Sequence, residues 1–233
     1  MAQALHLDYY DSMEKYYGAS LSAEYRVSTD LITSAVIVKN DNALESTQLL
    51  LGGKKDMLAL GLMWSILDST QLEFIYEKCY YTSQDEVDLG DGDYGRFGIS
   101  HQIRNGYPDL RVGAFMDFGL YDETTGSRGV IDELQADDYK VLPNDFYNLG
   151  VVFSYGMANA DDYTRVWRPY FEIYPYYNSY EESYNFGLNA GYGGKIWHQD
   201  HLIFGASYTE SVNGIGGKIF ELFLDYHFMY TRP

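Results

Sequence analysis

Apolar and polar residues alternate along most of this chain with a period of two. Between Ile219 and Phe228, the side chains of Phe220, Leu222, Leu224, Tyr226 and Phe228 fall on one side of an extended backbone, and Glu221, Asp225 and His227 on the other. Successive side chains of a strand point to opposite faces, so this is the pattern of a strand with one greasy and one charged face. It recurs upstream. Tyr17, Ala19, Leu21, Ala23, Tyr25 and Val27 oppose Ser20, Ser22, Glu24 and Arg26; Leu72, Phe74 and Tyr76 oppose Gln71, Glu73 and Glu77. Leu110, Val112, Ala114, Met116, Phe118 and Leu120 oppose Arg111 and Asp117, Phe171 and Ile173 oppose Arg168 and Glu172, and Tyr184, Phe186, Leu188, Ala190 and Tyr192 oppose Ser183, Asn185, Gly187 and Asn189.

The alternation and the turn residues between its segments predict thirteen strands, at 4–10, 16–28, 30–39, 46–54, 56–66, 70–82, 92–104, 109–121, 145–157, 165–177, 183–196, 201–210 and 217–229. Segments 30–39 and 56–66 are apolar on both faces, so they are either strands packed against a plug or not strands at all. Many of the strands exceed the roughly five or six residues usual in soluble sheets and match the ~9 to 11 that cross a bilayer at a tilt. The expected fold is therefore all-β, a transmembrane antiparallel up-and-down β-barrel filling residues 1–233 as one domain. Single-chain bacterial barrels have even strand numbers, which leaves one strand missed, spurious or upstream and puts the expected total at about 14, within about 12 to 16.

Connection lengths give an orientation. In outer-membrane barrels the long loops are external and the periplasmic turns short. The longest connection, Asp122 to Asn144, is then external, together with 84–91 and the Gly-containing 212–216, and Asn105 to Pro108 and the C-terminus are periplasmic. Asp122 to Asn144 is also the connection long enough to fold into a pore and narrow it.

Composition supports the all-β reading: 25 tyrosines and 23 glycines stand against 5 prolines in 233 residues, a profile of twisted antiparallel sheet. The net charge of −18 argues against nucleic acid and favours cationic partners. No run approaches the ~18 apolar residues of a membrane-spanning helix. Met1-Ala2-Gln3-Ala4 opens with neither a basic nor an apolar leader region, so the expectation is that the chain is the C-terminal part of a longer protein. The single cysteine, Cys79, has no internal disulfide partner and no redox role in this reading.

Catalytic and metal chemistry find little support. His227 and Asp225 share a polar face and could form an acid–base dyad, but two polar residues two apart are what any polar strand face displays. His198 and His201 flank a turn without a second pair of ligands. Asp85, Glu86, Asp88, Asp91 and Asp93 with two glycines resemble a calcium loop superficially, yet lack the glutamate at the twelfth position. There is no G-x-S-x-G, P-loop or paired C-x-x-C. The reading is a non-enzyme with no catalytic residue, no metal and no cofactor, in which Asp85, Glu86, Asp88, Asp132, Glu133, Asp137 and Asp138 belong to acidic external loops.

The polar faces carry the functional signal. Glu24, Arg26, Glu73, Glu77, Arg111, Asp117, Arg168, Glu172, Glu221 and Asp225 are the candidates for a pore lining, with Arg96 as a further partner for the acids. An acidic excess concentrates cations. Tyr94, Tyr170 and Tyr174 on or near that face offer flat surfaces to sugar rings.

Three segments, Leu142-Pro143-Asn144-Asp145-Phe146-Tyr147, Tyr163-Thr164-Arg165-Val166-Trp167-Arg168-Pro169-Tyr170 and Asp200-His201-Leu202, resemble the C-terminal porin family of PelB, the outer-membrane exporter of the Pel exopolysaccharide. The resemblance covers roughly residues 140–229. It implies a barrel in the bacterial outer membrane, contacting its lipid, at the end of a long chain whose upstream periplasmic part is a tetratricopeptide-repeat scaffold. The family barrel is larger than thirteen strands. The implied cargo is a cationic, partly deacetylated amino-sugar polysaccharide, in agreement with the acidic balance. The expected function is export of such a polymer through an acidic lumen; a general or cation-selective porin is the alternative, with a barrel enzyme or a soluble β-sandwich or lipocalin-like binder as further readings.

Overall fold

The computed structural model describes residues 2–11, 15–43, 45–104, 106, 108–134, 140–156, 167–196, 201–210 and 218–227. They form one antiparallel sheet in which each strand pairs with its neighbours in sequence: β1 (Ala2–Asp11), β2 (Lys15–Arg26), β3 (Leu31–Asn42), β4 (Gly53–Leu67), β5 (Thr70–Ser83), β6 (Asp88–Arg104), β7 (Leu110–Glu123), β8 (Phe146–Tyr155), β9 (Arg168–Asn178), β10 (Ser183–Lys195), β11 (His201–Glu210) and β12 (Lys218–His227). The order is a plain up-and-down meander. Among the described residues no pairing joins β1 to β12, so the expected closing pair of the barrel is not formed there.

The strand count corrects the expectation of about 14: the described residues hold twelve. The spurious strand is 46–54, which folds instead as a short helix, α1 (Thr47–Gly52). Its leucines are consecutive, not alternating, and the Ser46 side chain caps the helix by accepting a 3.1 Å hydrogen bond from the Leu49 amide, satisfying one of the donors a helix start leaves free. Leu49 is buried, whereas Leu50 and Leu51 face out. Removing that strand makes the number even and brings the start of β1 and the end of β12 to the same end of the sheet. Segment 30–39, apart from its first residue, and segment 56–66 are genuine strands, within β3 and β4.

Register fixes the faces. Leu58, Leu60, Leu62 and Trp64 of β4 lie opposite Ile37, Ala35, Thr33 and Leu31 of β3 and opposite Lys78, Tyr76, Phe74 and Leu72 of β5. This apolar face is the exposed one: Leu222 is 77% and Leu224 68% accessible, whereas Phe115 and Asp117 on the polar face are 8% and 7% accessible. A continuous exposed apolar belt is the inverse of a water-soluble sheet protein and suits a hydrocarbon surround. No helix among the described residues is long and apolar enough to cross a membrane. Pro175 leaves a mark on the belt: the β8–β9 pairing lapses between Gly150/Tyr176 and Phe153/Ile173, where proline has no N–H for the ladder.

Candidate pore-lining site

The polar face is built in rows that run across the strands. One reads Arg96, Asp117, Asn148 and Asn178; the next below it Gly98, Phe115, Gly150 and Tyr176; a third Arg111, Ser154, Glu172, Asn189, Ser207 and Glu221. Hydrogen bonds tie neighbours within rows. Asn178 Nδ2 donates to Asn148 Oδ1 at 2.9 Å, Ser154 Oγ to Glu172 Oε2 at 2.7 Å, and Ser207 Oγ to Glu221 Oε2 at 3.0 Å. Arg96 Nε stands 3.7 Å from Asp117 Oδ1, an ion pair too long for a hydrogen bond, with its guanidinium 5.1 Å from the centre of the Phe115 ring.

Aromatic residues on this face lie over glycines of the adjacent strand. A β-carbon on Gly150 would come within 2.5 Å of the Phe115 ring, and one on Gly187 within 2.0 Å of Tyr174 Cζ. Only a residue without a side chain leaves room for a ring laid flat along the sheet. The Tyr174 hydroxyl is anchored by a 2.8 Å hydrogen bond with Thr209 Oγ1, and the Tyr176 hydroxyl by the Glu210 carbonyl oxygen. Between these rings and the polar rows lies a recess of about 420 Å³ bordered by Tyr94, Arg96, Phe115, Asp117, Glu172, Tyr174, Tyr176 and Asn189; a neighbouring recess of about 170 Å³ continues past Glu73, Arg96 and Arg111.

At one end of the sheet the connections fold over the polar face. Leu49 of α1, Ile131 of a 3-10 turn (Gly129–Leu134), Val141 and Leu142 bury themselves with Ala43 and Leu89 against Cys79 and Tyr81 of β5, with Met57 and Tyr121 alongside. The register places Met57, Cys79, Tyr81 and Tyr121 on the polar face, so the contact is a cap on that face. Met57 gives the apolar second face of segment 56–66 its role. Clasps hold the cap: Glu123 Oε2 accepts from the Val141 and Leu142 amides at 3.0 and 3.3 Å while Oε1 meets Arg128 Nη2 at 3.2 Å. Asp85 Oδ1 accepts from the Val130 amide at 3.1 Å and from Ser83 Oγ, and these bonds, the Ser83 one foremost, hold its carboxyl below the ordinary carboxylate range.

All the pore-lining candidates fall on the polar face by register: Glu24 and Arg26 on β2, Glu73 and Glu77 on β5, Arg111 and Asp117 on β7, Arg168 and Glu172 on β9, Glu221 and Asp225 on β12. Asp117 and Glu172 meet in the larger recess, and Glu73, Arg111 and Glu172 in the smaller; Glu24, Arg26, Glu77, Arg168 and Glu221 border neither. Phe115, Asn148 and Tyr176 were not among the sequence candidates. Their signal was an aromatic or amide at a polar-face position opposite a glycine or another amide. Asp88 is a correction, since it opens β6 and is no part of a loop; a residue that can pair with Thr82 extends the ladder past the acids. Asp85 and Glu86 occupy the β5–β6 turn and Asp132 the 3-10 turn. Glu86 pairs with the buried Lys54, and Asp132 Oδ2 accepts from the Arg128 amide at 3.0 Å. These acids serve clasps, and no group of metal ligands occurs among the described residues. The Glu133 side chain, Asp137, Asp138, His198, Arg165 and the Asp225–His227 side chains lie outside what is described.

Residues 2–229 match the family model described as PelB, C-terminal beta barrel domain. The chain belongs to this family. A PelB-type barrel domain is a component of the bacterial outer membrane. A solved structure, that of a bacterial polysaccharide outer membrane secretin, shares the fold, with a TM-score of 0.65 at 11% identity over 96% of this chain and 73% of that one. No curated protein matches the chain in a sequence search. The family match extends a resemblance drawn from residues 140–229 to nearly the whole PelB-type domain.

Proposed function

We propose that this PelB-type domain is an export channel through which a cationic polysaccharide, a partly deacetylated amino-sugar polymer, leaves the cell along the acidic polar face. The observation that carries this reading is the composition of that face. By register Glu24, Asp41, Glu73, Glu77, Asp117, Glu123, Glu172 and Glu221 outnumber Arg26, Lys55, Arg96, Arg111, Arg168 and Lys195 there, and flat tyrosines lie among them. A wall with acidic excess raises the local concentration of cations and repels anions. The structural neighbour is a polysaccharide secretin, and the family supports a channel in place of an enzyme. An upstream tetratricopeptide-repeat scaffold in the same protein would deliver the polymer to the end of the sheet opposite the cap. The cap end, which carries the acidic connections, is then the outer mouth.

Planar-bilayer conductance tests the proposal. The domain should conduct little at rest, prefer cations, and be blocked by a glucosamine oligomer. Free conductance of small sugars with indifference to that oligomer would make it a general or cation-selective porin instead.

A further inference from the structure

The larger recess on the polar face has features that a uniform acidic wall would lack. Tyr174 and Tyr176 stack with their rings 18° from parallel and 6.4 Å apart, and both are fixed before any ligand arrives. Tyr174 is seated over Gly187 and tied to Thr209; Tyr176 is tied to the Glu210 carbonyl. Their hydroxyls are engaged at the wall, so the rings contribute mainly apolar surface. Charge in the recess is uneven. The Arg96 guanidinium stands against Asp117 and Phe115, whereas Glu172, with Arg111 beyond Ser154 in its row, makes no ion pair among the described residues. Glu172 Oε2 is bonded to Ser154, and Oε1 has no hydrogen-bond partner among the described residues. Asn189, beside Glu172 in its row, holds a buried Oδ1 with no hydrogen-bond partner either. The surplus is therefore of acceptors and of one negative charge, next to a flat apolar platform. A fitting ligand brings hydroxyl or ammonium donors, a positive charge and an apolar ring face. At about 420 Å³ the recess lies within the ~300 to 1,000 Å³ of small-molecule sites.

Resting on the export reading, we infer that this recess is a subsite for one protonated amino-sugar ring of the transported polymer, stacked on the half-buried Tyr174, with the buried Tyr176 behind it, and with its ammonium against Glu172. Asn189 takes a ring hydroxyl. A neutral N-acetylated ring retains the stacking and loses the ion pair, and an acidic sugar is repelled.

The test is calorimetric titration of the detergent-solubilised full chain with the glucosamine tetramer and with its fully N-acetylated counterpart, with heat-modifiable gel migration as the check on folding. The wild-type protein should bind the charged tetramer about 10-fold more tightly than the acetylated one. Tyr174→Ala should weaken both by about 3- to 10-fold, while Tyr174→Phe keeps most of the affinity. Gly187→Ala, which forces the Tyr174 ring off its seat without changing any charge, should behave like Tyr174→Ala. Glu172→Gln should remove the preference for the charged tetramer, and the remote Glu24→Gln should keep it. If the wild-type protein binds the charged tetramer but Tyr174→Ala and Glu172→Gln bind it equally well, the subsite is refuted and the export reading survives. If the wild-type protein binds neither tetramer, both fall. Should Gly187→Ala fail to fold, the Tyr174 and Glu172 variants decide.

Discussion

The hydroxyl of Ser46 donates a 2.7 Å hydrogen bond to the carbonyl oxygen of Val141, 95 residues later in the chain, while accepting from the Leu49 amide. One buried side chain thus caps α1 and stitches two distant connections together over the polar face. Ser46→Ala removes both bonds and leaves the Val141 carbonyl oxygen without this donor. The expected cost is about 1 to 2 kcal/mol, borne by the cap and not by the strands. In bilayer recordings the variant should spend more time in conducting states, with the gel-migration melting temperature of the sheet little changed.

Cys79 provides a built-in reporter of the same cap. It is the single cysteine of the chain and is 4% exposed beneath the apolar cluster. A water-soluble maleimide should label it slowly in the intact protein and at least about 10-fold faster after deletion of residues 126–138, following the population of open cap. The same deletion should raise conductance. Unchanged labelling and conductance together would refute the cap as a constriction.

Acid should loosen one clasp. The Asp85 carboxyl is held below its ordinary value by the Ser83 hydroxyl and the Val130 amide. A carboxylate lowered in this way stabilises the clasp fully at pH above the ordinary carboxylate value, and the contribution is lost as pH falls through the lowered one. Channel conductance should therefore rise as pH falls below about 4. Asp85→Asn should label faster than the wild-type protein at neutral pH and lose the part of the acid response that comes from this residue.

The two faces should answer differently to the same new charge. Leu62→Arg places a guanidinium in the middle of the β4 apolar belt, at a cost of about 2 to 4 kcal/mol if that position faces the hydrocarbon midplane. Glu73→Arg, on the opposite face opposite Gly98, should cost far less and lower the preference for cations in reversal-potential measurements. Equal destabilisation by both would contradict the assignment of the faces.

Strands and faces were legible because a period of two survives in the sequence wherever one face is apolar and the other polar. Segment 46–54 misled for a physical reason. Leu49, Leu50 and Leu51 form a short apolar run whose period fits helix and strand alike, and the choice is made by the Ser46 cap and the burial of Leu49 under Val141, contacts that no local pattern encodes. The acids of the lining could be read from alternation. Their grouping could not, since Asp117 and Glu172 meet only through the registers of β7, β8 and β9. The aromatic seats were half visible: Gly187 stood out as a glycine at a polar-face position, but that Tyr174 occupies the space above it depends on which residues the β9–β10 pairing sets side by side.

Those seats bear on how fast a polymer can move. A ring laid along the wall over a glycine offers a broad, shallow contact, and a sugar leaving Tyr174 reaches the parallel ring of Tyr176 after a step of 6.4 Å. On the export reading, hand-over between shallow contacts keeps the barriers to sliding low. Side chains pointing into the path would grip each unit more firmly and slow the strand, so in the proposed conduit the glycines of this wall would set the friction.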